Sequence, residues 1–452
     1  MSSKSQHGTT SSEMRASNLL RNPKTWITPT VITTIVIALM TLIYFGAIVN
    51  PVSHLRSLPV TVVNEDAGSS SPSGPINIGD QVVSALKSQK SITTRLNIRI
   101  VTLSQAEQRL DKGSDYAAVV IPSDLTKSVL ALYSSSTNTS EQLSTPSIEI
   151  LTNQRSGSLG VSLANGVLQP ALNKISEKIG QKLLSSPASE SLTNPVYRDI
   201  AGNPISISQT TYRPLPNNAG LGLSAFYIAL LTMMCGFLGA TLINSSVDAA
   251  LGYSATEVGT KWRQKIPIKM SRLQTLLTKW LMALPIVTVL VSVMLLVAIP
   301  ILKMDAPHFG DLWLLTVFSA IVVAMGTLAL FAALGSLGQI AAMLIFVYLG
   351  LASSGGTVPL QALGGFYRFI ANFEPLRQIL GGVRSILYFN ASGAAGLERA
   401  FVMAGIGFVI WLVIGLYVTT MYDRKGLDRM NPELMDYIQK AVYSRSKNKT
   451  KA

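Results

Sequence analysis

The side chains best suited to chemistry are few and scattered. The 452-residue chain has three histidines, His7, His54 and His308, and a single cysteine, Cys235. No histidine belongs to an H-E-x-x-H pattern, and one cysteine can form neither an intrachain disulfide nor a thiolate zinc cluster. The sequence therefore predicts no metal site and no bound cofactor.

The acidic and nucleophilic residues do not form a catalytic set either. No G-x-S-x-G elbow and no G-x-x-x-x-G-K-[ST] phosphate loop occurs, and the string from Val258 to Lys261 lacks the spacing of such a loop. The adjacent acids Glu65 and Asp66 follow a predicted strand, where turn and capping roles are more common than catalysis. We therefore expect neither enzymatic activity nor ATP hydrolysis by this chain alone.

Long uncharged stretches separate the charged residues. Hydrophobic residues make up 48% of the chain and charged residues only 13%, about half of the roughly 25% charge of soluble domains. A helix needs about 20 apolar residues to cross a bilayer, and a charge at its centre is unfavourable. The uncharged stretches predict six membrane-spanning helices, at 28–49, 223–247, 280–301, 312–334, 338–354 and 399–421.

The first of these stretches has an alternative interpretation as a cleaved signal peptide, because basic residues precede it. Its apolar run is longer than that of a typical signal peptide, and no A-x-A-like cleavage site follows it. An uncleaved membrane anchor is the better interpretation.

Basic residues lie mainly on one side of the predicted spans. Segment 1–27 has four basic residues against one acidic, segment 248–279 has six against two, and the tail 422–452 has eight against four, so these segments hold 11 of the 14 net positive charges. Positive charge marks the cytoplasmic side. The pattern predicts a multi-pass plasma-membrane protein with both termini in the cytoplasm, and it explains the basic balance without a nucleic-acid partner.

The stretch 50–222 between the first two spans then lies outside the cytoplasm. Runs rich in β-branched residues predict strands at 59–63, 98–102, 116–121 and 147–152. The intervening segments predict helices at 80–90, 104–112 and 124–132, the second opening at Ser104 with capping-box spacing, and 187–216 is expected to be an irregular connector. Alternating strands and helices indicate an independently folded extracytoplasmic α/β domain, inserted between helices 1 and 2 of an α-helical polytopic membrane protein.

A longer helix is predicted at 159–184, with a kink at Pro170. Its apolar stripe has heptad-like spacing and consists of Leu168, Leu172, Ile175 and Ile179. Packing on the sheet of the same domain is favoured over a dimeric coiled coil, because there are few heptads.

Ionisable residues are nearly absent from the predicted spans. Asp248 is the one candidate, and it lies at the cytoplasmic end of the second span, where an interfacial role is more common than proton transfer. Ion-driven transport is therefore disfavoured.

The order of these elements resembles the membrane subunits of ABC-2-type exporters. Within that group the chain looks most like the YhgE/Pip branch, and among its relatives like the fungal nitrosoguanidine-resistance proteins, whose outside domain is short. The motifs that carry the resemblance are VVNEDAG (62–68), DYAAVVIPSDL (115–125), NAGLGLSAFY (218–227) and the segment 353–389. The resemblance implies an ABC-2-type six-helix bundle, a homodimer and a separate ATPase subunit, although some relatives in the Pip branch have no dedicated ATPase, so both a separate ATPase and none stay open.

The same resemblance implies that the stretch 355–398 after the fifth span forms short re-entrant helices at the outer membrane surface. Glycines and a proline interrupt helix continuity there, and charged residues stand among aromatic ones. An outer gate or lipid-facing rim and a plain interfacial anchor are equally supported interpretations. The residues assigned to a gate or rim are Gly355, Gly356, Thr357, Pro359, Glu374, Arg377 and Arg384.

Cytoplasmic contact with an ATPase would fall on two segments. These are 12–26, which looks like an amphipathic elbow helix, and the loop 253–279, where apolar residues alternate with basic ones. The residues assigned to this coupling surface are Trp262, Arg263, Lys265, Ile266 and Ile268. For the basic residues, adhesion to anionic lipid is the favoured alternative.

Three functions remain open from the sequence. The first is a permease that exports an amphipathic drug or lipid-like compound, or confers resistance to toxic compounds. The second is a cell-surface scaffold or receptor-like protein that binds a phage, cell-wall or secretion partner through its outside domain. The third, an enzyme of lipid or wall metabolism, lacks a clustered polar site. The first is preferred.

Overall fold

The computed structural model describes residues 23–71, 74–134, 145–185, 195–263 and 265–429. Most of the expected elbow helix 12–26 and most of the tail 422–452 lie outside the described residues. The side chain of Trp262, assigned above to a coupling surface, also lies outside them.

The chain begins with a long apolar helix and continues into a mixed α/β domain. In chain order the elements are α1 (Pro23–Ile48), α2 (Pro51–His54), β1 (Leu58–Asn64), β2 (Ser69–Ser71), β3 (Gly74–Ile76), α3 (Ile78–Ser88), α4 (Lys90–Thr93), β4 (Leu96–Ile100), α5 (Leu103–Asp111), β5 (Ala117–Ile121), α6 (Leu125–Ser134), β6 (Ser147–Thr152), α7 (Ser158–Leu184), α8 (Pro195–Gly202) and β7 (Ser206–Thr211).

The remaining elements are mostly helices of the membrane bundle. They are α9 (Ser224–Ala250), β8 (Thr256–Val258), β9 (Lys261–Arg263), α10 (Arg272–Ile301), α11 (Phe309–Leu334), α12 (Leu337–Ser353), α13 (Gly365–Ile370), α14 (Pro375–Tyr388) and α15 (Leu397–Arg424).

Five of these helices are long and apolar enough to cross a membrane: Thr30–Ile48 of α1, and α9, α10, α11 and α15. The chain is therefore a polytopic membrane protein, as the uncharged stretches predict. The predicted fifth span, 338–354, corresponds to α12, which has 17 residues and a π-helical stretch at Met343–Tyr348. Seventeen residues is the lower limit for a crossing, so the count of six remains a prediction.

Helix α10 starts earlier than the sequence indicates. The uncharged stretch predicts a start at residue 280, but the helix begins at Arg272, where the Ser271 side chain accepts a hydrogen bond from the N–H of Gln274. Lys279 therefore lies inside the helix and not in the loop before it. The mostly buried carboxylate of Asp248 pairs with the Lys279 ammonium group and stabilises its charge at that position.

The domain is a five-stranded mixed sheet in the order β4-β1-β5-β6-β7. Strand β1 pairs in parallel with β4 and β5, β6 runs antiparallel to β5, and β7 pairs in parallel with β6. The four predicted strands are present within two residues of their predicted bounds. The expectation of an irregular connector at 187–216 is wrong in part, because β7 forms the fifth strand from a Ser/Thr-rich segment without an apolar run.

Local capping also differs from the sequence expectation. The capping box of α5 is formed by Thr102 and Gln105, and not by Ser104. Asp66 is buried and accepts hydrogen bonds from the N–H groups of Gly79 and Thr126, near the start of α3 and of α6. Asp66 therefore has the capping role that the spacing favours.

The stripe on α7 packs inside its own domain. Its four residues, Leu168, Leu172, Ile175 and Ile179, are buried in one core with the sheet. This agrees with the preferred interpretation and leaves no apolar stripe free on α7 for a coiled coil.

The core of the domain extends into the membrane part. Ala47 of α1, Ala352 of α12 and Leu363 and Tyr367 beyond it are buried in the same cluster as the sheet. Two hydrogen bonds reinforce this continuity, from the Tyr367 hydroxyl to the carbonyl of Leu42 (3.1 Å) and from the N–H of Arg56 to the carbonyl of Gln361 (2.8 Å). The expectation of an independently folded domain therefore needs correction, since part of its core comes from residues 352–367, which follow helices α9 to α11 of the bundle.

We refer to the end of the bundle beside the α/β domain as the domain face and to its other end as the far face. Residues 354–396, including α13 and α14, lie at the domain face. The hairpin of β8 and β9 lies at the far face, between α9 and α10.

Candidate functional site

The segment that follows α12 is held in a narrow backbone conformation at the domain face. Gly355 has a φ of +73°, and a Cβ on Gly356 would lie 2.1 Å from the Phe226 ring of α9. The ring leaves room only for glycine at position 356, and the positive φ favours glycine at position 355. Together the two glycines allow the chain to turn against α9. Pro359 is extended and prevents the helix from resuming directly.

Arg384 of α14 lies against this turn. Its guanidinium donates to the carbonyl oxygens of Gly355 (3.5 Å) and Gly356 (3.2 Å), both long contacts. Its Nε is buried and has no acceptor in the described part of the chain. Burial lowers the pKa of Arg384, yet a guanidinium remains charged at neutral pH.

Two neighbouring cavities, which we call the junction cavities, lie between the α/β domain and residues 354–361. The larger measures about 510 Å³ and the smaller about 230 Å³. Both are lined by Tyr116, Ser156, Gly355 and Arg384. Gly356, Thr357 and Pro359 line the larger cavity only, and Arg377 lines the smaller one.

Arg377 lies two turns before Arg384 on the same face of α14. No hydrogen bond or ion pair of its side chain occurs among the described residues. Burial, together with the nearby Arg399, lowers the pKa of Arg377 to about 10. The guanidinium is thus positively charged and faces a cavity without a counter-charge in contact.

Glu374 stands apart from the other residues assigned to the gate or rim. Its carboxylate caps α14 and accepts hydrogen bonds from the N–H groups of Leu376 (2.6 Å) and Arg377 (2.9 Å). The side chain is buried against Gly350 of α12 and lines neither junction cavity. Burial raises the pKa of Glu374 to about 7, although the two N–H donors oppose the shift.

The sequence reasoning missed the residues that the α/β domain contributes to the junction cavities. Tyr116 precedes β5, and its hydroxyl makes no hydrogen bond within the described ranges. Burial raises the pKa of Tyr116, so the hydroxyl keeps its proton. Arg155 follows β6 and donates to the carbonyl oxygens of Tyr388 and Pro214, both at 3.0 Å, which joins the domain to α14. The motif 115–125 contains Tyr116 and was the one signal in the sequence that could have identified this residue.

A third cavity, of about 230 Å³, lies inside the helical bundle on the opposite face of α14. We call it the bundle cavity. Its walls come from α11, α12, α14 and α15, and they are apolar apart from Ser319 and Gln378. Gln378 is hydrogen bonded to Arg399 and to two backbone carbonyls, whereas the Ser319 hydroxyl has no partner in the described structure. The cavity suits an apolar or weakly polar group.

The far face of the bundle is tied together by charged side chains. Asp248 of α9 accepts from Lys279 of α10 (2.7 Å) and, at both carboxylate oxygens, from Arg429 beyond α15 (2.7 Å each). Asp423 of α15 accepts from the N–H groups of Arg272 and Leu273 and so caps α10. We call the group Asp248, Lys279 and Arg429 the far-face ion cluster. Asp248 thus has a structural role as an ion-pair partner near the end of α9, and its place at the membrane interface stays a prediction.

The residues assigned to a coupling surface lie on this far face, remote from the junction cavities. Arg263 and Lys265 are exposed, and the apolar side chains of Ile266 and Ile268 are also exposed. The Ile268 backbone is fixed by hydrogen bonds from its N–H to Leu251 and from the Tyr253 hydroxyl to its carbonyl. The arrangement presents two isoleucines beside basic side chains, but no described contact identifies a partner.

Among solved structures, the chain is similar to one described as "a domain of a putative ABC type-2 transporter from Thermotoga maritima MSB8". The identity is 19%, and the match covers 34% of this chain and 85% of that chain with a TM-score of 0.24. At that score the similarity carries no argument about fold or activity.

A comparison with curated proteins finds no match. Residues 30–415 match a protein family described as "Protein of unknown function (DUF3533)". That match takes in most of α1, the α/β domain, the helices α9 to α14 and most of α15, so the chain belongs to the DUF3533 family.

Proposed function

We propose that the protein is a membrane permease that moves an amphipathic, drug-like or lipid-like compound outward across the plasma membrane. The observation that carries the proposal is the difference between the two ends of the bundle. The far face is held together by the far-face ion cluster and has a small cavity of about 70 Å³ beside Lys279 and Arg429. The domain face and the outer half of the bundle contain three larger cavities, of about 230, 230 and 510 Å³. A bundle that is tightly closed at one end and hollow at the other is what an alternating-access path requires.

The chemistry of the cavities fits a compound with a polar and an apolar part. The bundle cavity is apolar, and the junction cavities present cationic and hydroxyl groups. Helix α14 separates the two, with Gln378 and Ile379 towards the bundle cavity and Arg377 and Arg384 towards the junction cavities. An amphiphile could therefore satisfy both environments from opposite sides of one helix.

Irregular helix geometry at membrane depth supports a path through the bundle. The π-helical stretch Met343–Tyr348 of α12 includes Ile345 and Phe346, which line the bundle cavity. Such stretches weaken the regular backbone ladder and are frequent at functional sites. They provide places where a helix can bend without breaking all its hydrogen bonds.

We further propose that a separate ATPase supplies the energy and docks at the far face, on the exposed Ile266 and Ile268. In this proposal the far face is cytoplasmic, in agreement with the distribution of basic residues. The far-face ion cluster would then have to open during each cycle, because it links α9, α10 and the end of α15.

Accumulation of a fluorescent amphiphile in cells tests the transport proposal. Cells that overexpress the protein should accumulate less dye than cells that lack it. Ala404→Phe fills the bundle cavity and should abolish this difference, whereas Val409→Phe adds the same ring on the exposed side of α15 and should retain it.

Equal accumulation in all four strains, for dyes with anionic, neutral and cationic headgroups, would overturn the transport proposal. If the Ala404→Phe variant also complements every defect of the deletion strain as fully as the wild-type protein does, the scaffold alternative is favoured. Both variants must first be shown to reach the membrane in equal amounts.

A further inference from the structure

Three hydrogen-bond donors at the junction cavities have no acceptor in the described structure. They are the Nε of Arg384, the guanidinium of Arg377 and the hydroxyl of Tyr116. All three line the smaller junction cavity, and Arg384 and Tyr116 also line the larger one. Gln361 also lines the smaller cavity, and its buried Oε1 has no donor among the described residues. Three donors without acceptors on one partly open cavity indicate a ligand that supplies acceptor oxygens.

The charge balance of the same space is positive. No carboxylate of the described residues lies within ion-pair distance of Arg377 or Arg384, since the described ion pairs involve other residues. Glu374, whose charge acts on Arg377, accepts its hydrogen bonds from the N-terminal N–H groups of α14. A partly buried guanidinium without a counter-charge is unfavourable, and two on one helix face add mutual repulsion. An anion would relieve both effects.

The rim of the larger cavity is apolar where it meets the start of α9. Leu159, Leu221 and Leu223 are exposed there, Leu221 with 80% of its surface accessible. These residues stand at the level where the membrane-spanning part of α9 begins. A ligand with an anionic head and an apolar chain can therefore place its head among the arginines and its chain along this rim.

From these contacts we propose that the junction cavities bind the phosphate group of an anionic amphiphile, held by Arg377, Arg384 and Tyr116. Guanidinium groups match the geometry of phosphate oxygens and can donate two parallel hydrogen bonds. The tyrosine hydroxyl supplies a further donor from the α/β domain. The proposal concerns binding alone, and it stands whether or not the bundle transports anything.

Isothermal titration of the full chain in a non-ionic detergent tests the site. The probes are dihexanoyl phosphatidic acid, dihexanoylglycerol, which lacks the phosphate, and inorganic phosphate. We expect the phosphatidic acid to bind, the dihexanoylglycerol not to bind, and inorganic phosphate to bind more weakly than the phosphatidic acid. Equal binding of inorganic phosphate would overturn the assignment to an amphiphile and identify a soluble anion instead.

Four variants separate this site from general electrostatic attraction. Arg377→Gln should weaken binding roughly tenfold or more, because a charged hydrogen-bond donor is lost. Tyr116→Phe should weaken it by a smaller factor, and Arg384→Lys should weaken it although the charge is retained. Arg368→Gln removes an exposed arginine of α13 in the same segment and should leave the affinity unchanged.

Arg377 is the most informative variant because its side chain makes no described hydrogen bond or ion pair, so its replacement breaks neither kind of bond in the fold. Circular dichroism and gel filtration verify that each variant is folded. Unchanged affinity in folded Arg377→Gln and Tyr116→Phe, or an equal loss in Arg368→Gln, would overturn the proposal. Absence of binding by the wild type to every anion tested would overturn it as well.

Discussion

At the scale of single residues, the best-defined charge arrangement is the far-face ion cluster. The Lys279 side chain is 6% exposed and the Asp248 side chain 13% exposed, so neither can be hydrated well on its own. Removal of one partner from such a pair leaves the other charge buried. The sequence indicated Asp248 as an interfacial residue, but its partners could not be predicted because Lys279 and Arg429 are 31 and 181 positions away.

Asp248→Asn should therefore destabilise the protein by roughly 3 kcal/mol or more. The expected observation is a lower apparent Tm in detergent. Combining it with Lys279→Met removes the more buried of the two charges left unpaired, Lys279 and Arg429, and should recover part of the loss. Asp305→Asn, which changes an exposed acid of the α10–α11 loop, is the control. A Tm of Asp248→Asn equal to that of the control would contradict the structural role of the ion cluster.

Glu374 should make the stability depend on pH. Its pKa in the folded protein is raised to about 7, whereas the unfolded chain ionises near about 4.3. Between these values the folded state binds more protons than the unfolded state, so stability falls as the pH rises and levels off above about 7.

Glu374→Gln keeps an acceptor for the α14 cap but cannot ionise. Its apparent Tm should lack this part of the fall between pH 5 and pH 8, and the exposed Glu398→Gln should keep it. Equal pH slopes for Glu374→Gln and the wild type would show that burial does not raise the pKa of this carboxyl.

At the scale of helices and strands, the sequence predicted which elements are present better than it predicted where each one begins and ends. Long uncharged stretches and β-branched runs depend on local chemistry, so they identify the apolar helices and four strands. Strand β7 has no apolar run, because it pairs at the sheet edge and is stabilised by backbone pairing with β6. Tertiary pairing of that kind cannot be predicted from the alternation of apolar and polar residues within one segment.

Helix crossings in the bundle depend on small residues. A Cβ on Gly236 of α9 would lie 2.4 Å from the carbonyl oxygen of Ala320 of α11, whereas a Cβ on Gly405 of α15 would meet nothing within 4 Å. Close backbone approach of this kind is how membrane helices associate. Gly236→Ala should lower the apparent Tm and the yield in the membrane. Gly405→Ala should leave both unchanged or slightly higher, and equal effects would contradict the packing described.

At the scale of the whole molecule, the junction cavities could be predicted only in part. The family resemblance, with which the glycines, Pro359 and aromatic residues agree, predicts the special role of the segment 355–398, and six of its seven assigned residues line the two cavities. The contribution of Tyr116 and Ser156 arises only when the α/β domain folds onto that segment. Residues about 200 or more positions apart meet there, which no local pattern encodes.

The orientation of the whole molecule can be tested by labelling with a membrane-impermeant thiol reagent. In a Cys235→Ser background, Ser88→Cys lies on an exposed position of the α/β domain, and Lys265→Cys lies on the far face. Intact cells should label only Ser88→Cys, and permeabilised cells should label both, because basic segments stay in the cytoplasm. The reverse pattern would place the domain inside.

The continuous core between the domain and residues 352–367 also determines when the domain can finish folding during synthesis. Strands β1 to β7 leave the ribosome well before Ala352 and Tyr367, which complete the same core. The nascent domain must therefore keep part of its apolar surface uncovered until α12 has been inserted. We expect translation stalled before residue 350 to leave the domain open to proteolysis, and synthesis past residue 370 to protect it.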